Sequence, residues 1–226
     1  MEMGAPFKSL GKAVKDLIIV SPAQIWLDAG CGPAKTSEIL WGKSNRSIKK
    51  IIGLDIILWP AQEQVKKIPV LELIYGSLGE RLNFSDSIFD GIICNLVIPY
   101  IIDFEGKRGR DAIQEVFNEF ARILKPGGQL IWSTVIKNMH PEIGFVCAAP
   151  DILINIMKIP NLPITIVKLL KYAKELEKKG KDGIYTCLSV TEWNEMLKTS
   201  GFINHTWKFV FMGQTIVNSS FLSKQI

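Results

Sequence analysis

The run WLDAGCGPAKTSEIL carries the densest chemistry in the sequence. A β-like segment ends at Asp28, passes through Gly30-Cys31-Gly32 and enters a helix-like segment. Glycines at this spacing let the backbone turn tightly and let a ligand approach with no Cβ in the way. The helix start behind them offers unpaired N–H groups. A second β-like run, IIGLD, ends in Asp55, a carboxylate able to accept both hydroxyls of a ribose. A Gly turn with an acid one strand later describes a pocket for a nucleoside cofactor. Lys35 stands where a dinucleotide fingerprint has its third glycine. The acid before the turn suits a ligand with an ammonium group and no pyrophosphate.

Other titratable side chains are scattered. His140 follows the fifth β-like run, while Tyr100 and Glu105 follow the fourth. These three are the candidates for a general base, if the reaction needs one. His205 lies inside a β-like run and reads as structural. Cys31, Cys94, Cys147 and Cys187 form no CxxC pair, which argues against a metal site and against a disulfide framework. Reduced thiols in a cytoplasm are the plain expectation.

These residues need a frame, and the apolar pattern supplies one. Short β-like runs alternate with amphipathic stretches, the mark of a mainly parallel α/β sheet. A helix is expected over 7–19, then strands at IWLDA, IIGLD, VLELIY, FDGIICN and QLIWSTVI, with a helix near 60–67. GRDAIQEVFNEFARIL places Ile113, Val116, Phe117, Phe120, Ile123 and Leu124 on one helical face. KPGG reads as the turn that stops this helix. TEWNEMLKTSG reads as a helix with Thr191 as N-cap and Gly201 as its C′ residue. INHTWKFVF and TIVNSSFL, joined by the short MGQ turn, form an antiparallel hairpin.

Taken together, D-x-G-x-G-x-A at Asp28–Ala34, the YGSLGERLNFSDSIFDGIICNLVIPYIID stretch, EFARILKPGGQLIWSTV and TEWNEMLKTSGF resemble class I S-adenosylmethionine-dependent methyltransferases. The similarity is to the small-molecule, ubiquinone/menaquinone type and covers about 25–135 and 188–222. It implies an α/β, Rossmann-like sheet of seven strands, order 3-2-1-4-5-7-6, with the last strand antiparallel. It implies S-adenosylmethionine as cofactor and methyl transfer as the activity. Asp28 and the backbone of Gly30, Cys31 and Gly32 would hold the methionine part. Asp55 would bind the ribose and Ile56 would pack on the adenine. Ser77 and Leu78 would meet the adenine edge, and Asn95 would lie beside the methionine end. Ala34 replaces a glycine of the family pattern, and Ser77 stands where an aspartate often receives the adenine amino group.

The 226 residues fit one domain spanning 1–226, with an insertion over 137–187 that the resemblance makes a helical lid. Its apolar helix face fits either a cover over a lipophilic acceptor, with peripheral membrane contact, or plain packing on the domain. No stretch reaches the about 18 uninterrupted apolar residues of a membrane span. The N-terminus shows no signal-peptide pattern. A net charge of +5 is too small to select an anionic partner. The basic clusters Lys43/Arg46/Lys49/Lys50 and Lys107/Arg108/Arg110 lack interleaved aromatics and read as solvated loop charge, so nucleic acid is not the expected partner. Asn95 followed by LVIPY is not the Asn/Asp-Pro-Pro-Tyr motif of nucleic-acid amino methylation. The leading reading is methylation of a small, lipophilic acceptor. RNA or protein methylation and a non-catalytic cofactor-binding subunit are the alternatives.

Overall fold

The computed structural model describes residues 5–137, 171, 174, 175, 178, 179, 182 and 184–224. Its centre is a seven-stranded sheet. The strands are β1 (Ile25–Ala29), β2 (Lys50–Asp55), β3 (Leu71–Tyr75), β4 (Phe89–Asn95), β5 (Leu124–Val135), β6 (Phe202–Val210) and β7 (Thr215–Leu222). They lie in the order 3-2-1-4-5-7-6, as the family resemblance implies. The first five are parallel, and β7 runs antiparallel to both β5 and β6. Strand order reverses between β1 and β4, where an open α/β sheet forms its ligand crevice outside the carboxyl ends. Asp28 and Asp55 stand at those ends, and Asn95 is level with Ser133 of β5.

Helices cover both faces. On one face, α1 (Ala5–Leu17) and α2 (Lys35–Lys43) bury Leu10, Val14, Ile18 and Leu40 with Trp26, Ile51, Ile93 and Ile131. On the other, α4 (Arg110–Ile123) and α5 (Val190–Thr199) pack onto Leu27, Ile92, Leu130 and Ile216. Every residue of the expected α4 face is buried. Phe117, Trp132 and Trp193 meet edge to face there, with ring centroids 4.9–6.2 Å apart. Such pairs add about 0.5–1.5 kcal/mol each beyond burial. The tightest glycine requirement of the sheet packing is at Gly91, where a Cβ would lie 2.5 Å from the Trp26 indole. The expected helix near 60–67 is a 3₁₀ turn, Trp59–Ala61, followed by the single-turn α3 (Gln62–Val65).

Two local expectations are corrected. KPGG does more than end a helix. Leu124 already pairs with Phe89 and the next pair is Gln129 with Gly91, so Lys125–Gly128 bulge out of β5. Asp90 fastens that bulge, taking Lys125 Nζ at 2.7 Å and the Ile25 N–H at 2.8 Å. At α5 the N-cap is Ser189, not Thr191. Its hydroxyl receives the Glu192 N–H and the Glu192 carboxylate receives the Ser189 N–H, a reciprocal capping box. Gly201, with φ +83°, follows the helix as expected.

Most of the expected cap over 137–187 lies outside the described residues, and so does His140. Its stem is described. The Lys137 N–H donates to Leu188 O at 3.4 Å, so the chain leaves β5 and returns at one place, at the carboxyl end of the strand.

Candidate cofactor cleft

The Gly turn follows directly from β1. Gly30 has φ +73° and Gly32 φ +48°, conformations that glycine adopts freely. The neighbour that fills the space at Gly30 is protein: an added Cβ would lie 2.4 Å from Val97 Cγ2. Ala34 sits at φ +53°, which gives a physical reason for the glycine that the family pattern has there.

The two aspartates differ in role because they differ in surroundings. Asp28 is 1% exposed, and its carboxylate accepts the Ser37 hydroxyl at 2.6 Å. Ala34, the N-cap of α2, has no side-chain cap; Asp28 takes over that work from the neighbouring strand, also receiving the Ser37 backbone N–H. Burial raises its pKa from 3.8 to about 6; the Ser37 bonds oppose that rise and Asp55 adds to it. Asp55 lies at the surface of the cleft. Its Oδ2 receives the Gly32 N–H at 2.8 Å and its Oδ1 the Ile57 N–H at 2.9 Å. A carboxylate has about four lone-pair sites, so two remain for a diol.

A cleft of about 440 Å³ opens over these ends. Gly30, Asp55, Ile56, Ser77, Leu78 and Tyr100 line it, so six of the residues singled out in the sequence converge there. Asp28, Cys31, Gly32 and Asn95 do not line it. Cys31 is buried, and burial pushes its thiol up to about 12, which removes it as a nucleophile. Asn95 Oδ1 accepts the Ser133 hydroxyl at 2.5 Å, tying β4 to β5. Ser77 Oγ accepts the Gly79 N–H at 3.0 Å. Tyr100 lies on a 3₁₀ turn, Ile98–Tyr100, with its ring edge to face with Tyr185 at 5.1 Å. Glu105 is committed elsewhere: its Oε1 receives the Arg81 N–H at 3.1 Å.

Sequence reasoning missed Val97, Ile101, Ile102 and Asp103, which line the same cleft. The missing signal was a small antiparallel hairpin, Asp103–Phe104 with Lys107–Arg108. Its two loop residues, Glu105 and Gly106, both have positive φ, and a Glu-Gly pair is a weaker turn signature than Asn-Gly. The expected basic loops are partly paired: Lys50 with Glu72, Lys107 with Glu115, and Arg110 with Glu192 and Glu195. No group of three or more His, Cys, Asp or Glu among the described residues is placed to hold a metal ion.

Residues 27–132 match the Methyltransf_11 family, a methyltransferase domain. The malonyl-[acyl-carrier protein] O-methyltransferase of Methylovorus sp. (strain MP688) is 26% identical over 136 residues, covering 57% of this chain and 42% of that protein. The chain spans less than half the length of the curated relatives it matches. A solved chain from the complex between the Haloferax volcanii Trm112 methyltransferase activator and a methyltransferase has a TM-score of 0.65 at 16% identity, over 94% of this chain and 88% of that one. Geranyl diphosphate methyltransferase, solved with GPP and sinefungin, gives 0.63 at 13% identity, over 95% and 77%. At these identities the solved structures speak for the fold alone.

Proposed function

We propose, from the premise that residues 27–132 are a class I methyltransferase domain whose cofactor is S-adenosylmethionine, that this chain methylates a small, lipophilic acceptor. The observation that carries the reading is the lining of the cleft, where Asp55 is joined by Val97, Tyr100, Ile101 and Ile102. When bound, the cofactor supplies a methyl group already activated on a sulfonium. Asp55 accepts the ribose hydroxyls, and Ile56 and Leu78 pack on the adenine. Gly30, which lines the cleft, stands at the methionine end, while Gly32 braces Asp55 and Asn95 ties β4 to β5 beside it. The buried Asp28 acts there indirectly, through the α2 turn it caps.

Much of the rate enhancement in such a displacement comes from positioning and exclusion of water, for which apolar walls suffice. A base is needed only for an acceptor that must lose a proton, and Tyr100 is the described residue at the cleft that fits that role; His140 is the other candidate. The acceptor side is where Tyr185 returns the chain against Tyr100. Geranyl diphosphate methyltransferase shows that a similar fold serves an isoprenoid acceptor. A panel of small quinols, phenols, isoprenoids and fatty acids, incubated with protein and methyl-labelled cofactor, tests the proposal. Label is expected in the lipid-extractable fraction. Label confined to RNA or protein would replace this reading with the macromolecular one.

A second reading concerns partners. One neighbouring fold is solved with an activator protein, so an activating subunit would be a partner of this chain. Methyl transfer that appears only after addition of cell extract, and that fractionates with a protein, would favour it.

A further inference from the structure

We propose that the edge of the molecule formed by β3, α3 and the 3₁₀ turn before α3 rests on a bilayer surface bearing anionic phospholipid. This edge is separate from the insertion over 137–187, and the proposal stands whichever acceptor the cleft takes. The segment from Trp59 to Ile68 is amphipathic. Ala61, Gln64 and Ile68 are buried and fix it to the sheet, and the Ile68 N–H donates to Gln64 O at 2.8 Å. Trp59 and Val65 of the same segment face solvent, Trp59 with 78% of its surface exposed. It is the one exposed residue among the six tryptophans. Tyr75, 73% exposed, ends the edge strand in register with Asp55, and Ile57 is exposed on the loop after β2. Large apolar side chains held in water on ordered backbone mark a binding surface.

The same edge is basic. Lys43, Arg46, Lys49 and Lys50 lie between Ile39 and Leu54, a stretch with no acidic residue. Lys49 and Lys50 share a groove of about 580 Å³ with Gln62 and Val65 of α3 and Leu71 and Leu73 of β3, which brings the basic run to the aromatic edge. Lys66 and Lys67 follow Val65, both exposed. Apart from Asp55 in the cleft, the acids of 39–75 are Glu63, 3.6 Å from Lys66, and Glu72, 2.6 Å from Lys50, so positive charge is in surplus. Indole and phenol rings settle at the headgroup level, and flexible lysine stems let their ammonium groups reach lipid phosphates. Each such cation near an anionic surface is worth about fivefold in affinity. A protein strand added to β3 is the competing occupant, and the composition speaks against it. Lysines along the edge and Pro69 just ahead of the strand oppose strand addition, and lysine is depleted in protein interfaces.

Co-sedimentation of the full chain with phosphatidylcholine vesicles, with and without phosphatidylglycerol, tests the proposal. Wild type is expected to bind the anionic vesicles in a salt-sensitive way and the neutral ones only slightly. Reversing two charges in the Lys66→Glu/Lys67→Glu double variant should lower that binding by about thirtyfold or more. Trp59→Ser should lower it by about tenfold. Trp59→Phe keeps most of the binding but removes the tryptophan quenching that brominated acyl chains produce in wild type. All three positions are exposed and outside the cofactor cleft, so each variant should bind S-adenosylhomocysteine as wild type does. That control separates this test from the cofactor reading. Vesicle binding that the double variant and Trp59→Ser leave intact assigns the contact to another surface and overturns the proposal. A wild type that binds neither vesicle, or both equally, overturns it too. A wild type that ignores vesicles yet forms a dimer that Trp59→Ser dissociates makes this edge a protein interface instead.

Discussion

Asp28 and Asp55 end neighbouring strands and carry the same functional group, yet burial sends them to different work. Asp28 is enclosed and caps α2 through Ser37; Asp55 faces the cleft and braces the Gly turn. The motif and the family resemblance offered both as acids for a cofactor. It could not reveal that Asp28 turns inward, because the partner Ser37 is set by how α2 folds back on β1. The difference has a measurable consequence. A carboxyl whose pKa rises from 3.8 to about 6 on folding holds its proton more tightly in the folded chain. The folded state then binds more protons than the unfolded one between about pH 4 and pH 6, so this residue's contribution to stability falls as pH rises through that window. Above it, the ionised group costs roughly 3 kcal/mol relative to the neutral form. Asp28→Asn keeps an oxygen for Ser37 and removes the charge. Urea unfolding of ligand-free protein should show the variant gaining on wild type from about pH 4 to pH 6 and keeping that advantage above. A difference independent of pH would contradict the burial account.

At the scale of elements, strands and long helices were legible because their apolar periodicity was unbroken; the junctions were less so. SVTEWNEM holds two hydroxyl residues around the start of the helix, and both satisfy a simple N-cap rule. The S-x-x-E spacing from Ser189 to Glu192 is the stronger signal, and it is the one the fold uses. Ser189→Ala should therefore cost about 1 kcal/mol of stability, whereas Thr191→Ala should be nearly neutral. Urea midpoints of the two variants compare them directly, and equal losses would remove the box as the operative cap. KPGG was ambiguous for another reason, since a helix stop and a bulge both recruit glycine. Only the pairing of Gly91 with Gln129 separates them. The Asp103–Arg108 hairpin escaped notice because it is too short to show alternation.

For the molecule as a whole, short connections made the topology readable. The first two β-like runs lead into helices and the last two meet at a tight turn, and the family resemblance implied the order of the seven strands. The insertion follows no such rule: its apolar residues are consistent with several packings, and the sequence alone does not choose among them. The cofactor site depends on the part that was legible, the turn after β1 and the acid at the end of β2. Its central claim is that Asp55 holds the ribose of S-adenosylmethionine in the cleft at the β1–β4 crevice. Calorimetric titration of S-adenosylhomocysteine into wild type and Asp55→Ala tests this most directly, with a urea melt to show that the variant is folded. The account predicts saturable binding to wild type and a loss of about ten- to a hundredfold in the variant, the worth of hydrogen bonds to a charged acceptor. A folded Asp55→Ala that binds as tightly as wild type, or a wild type that binds nothing, would contradict it.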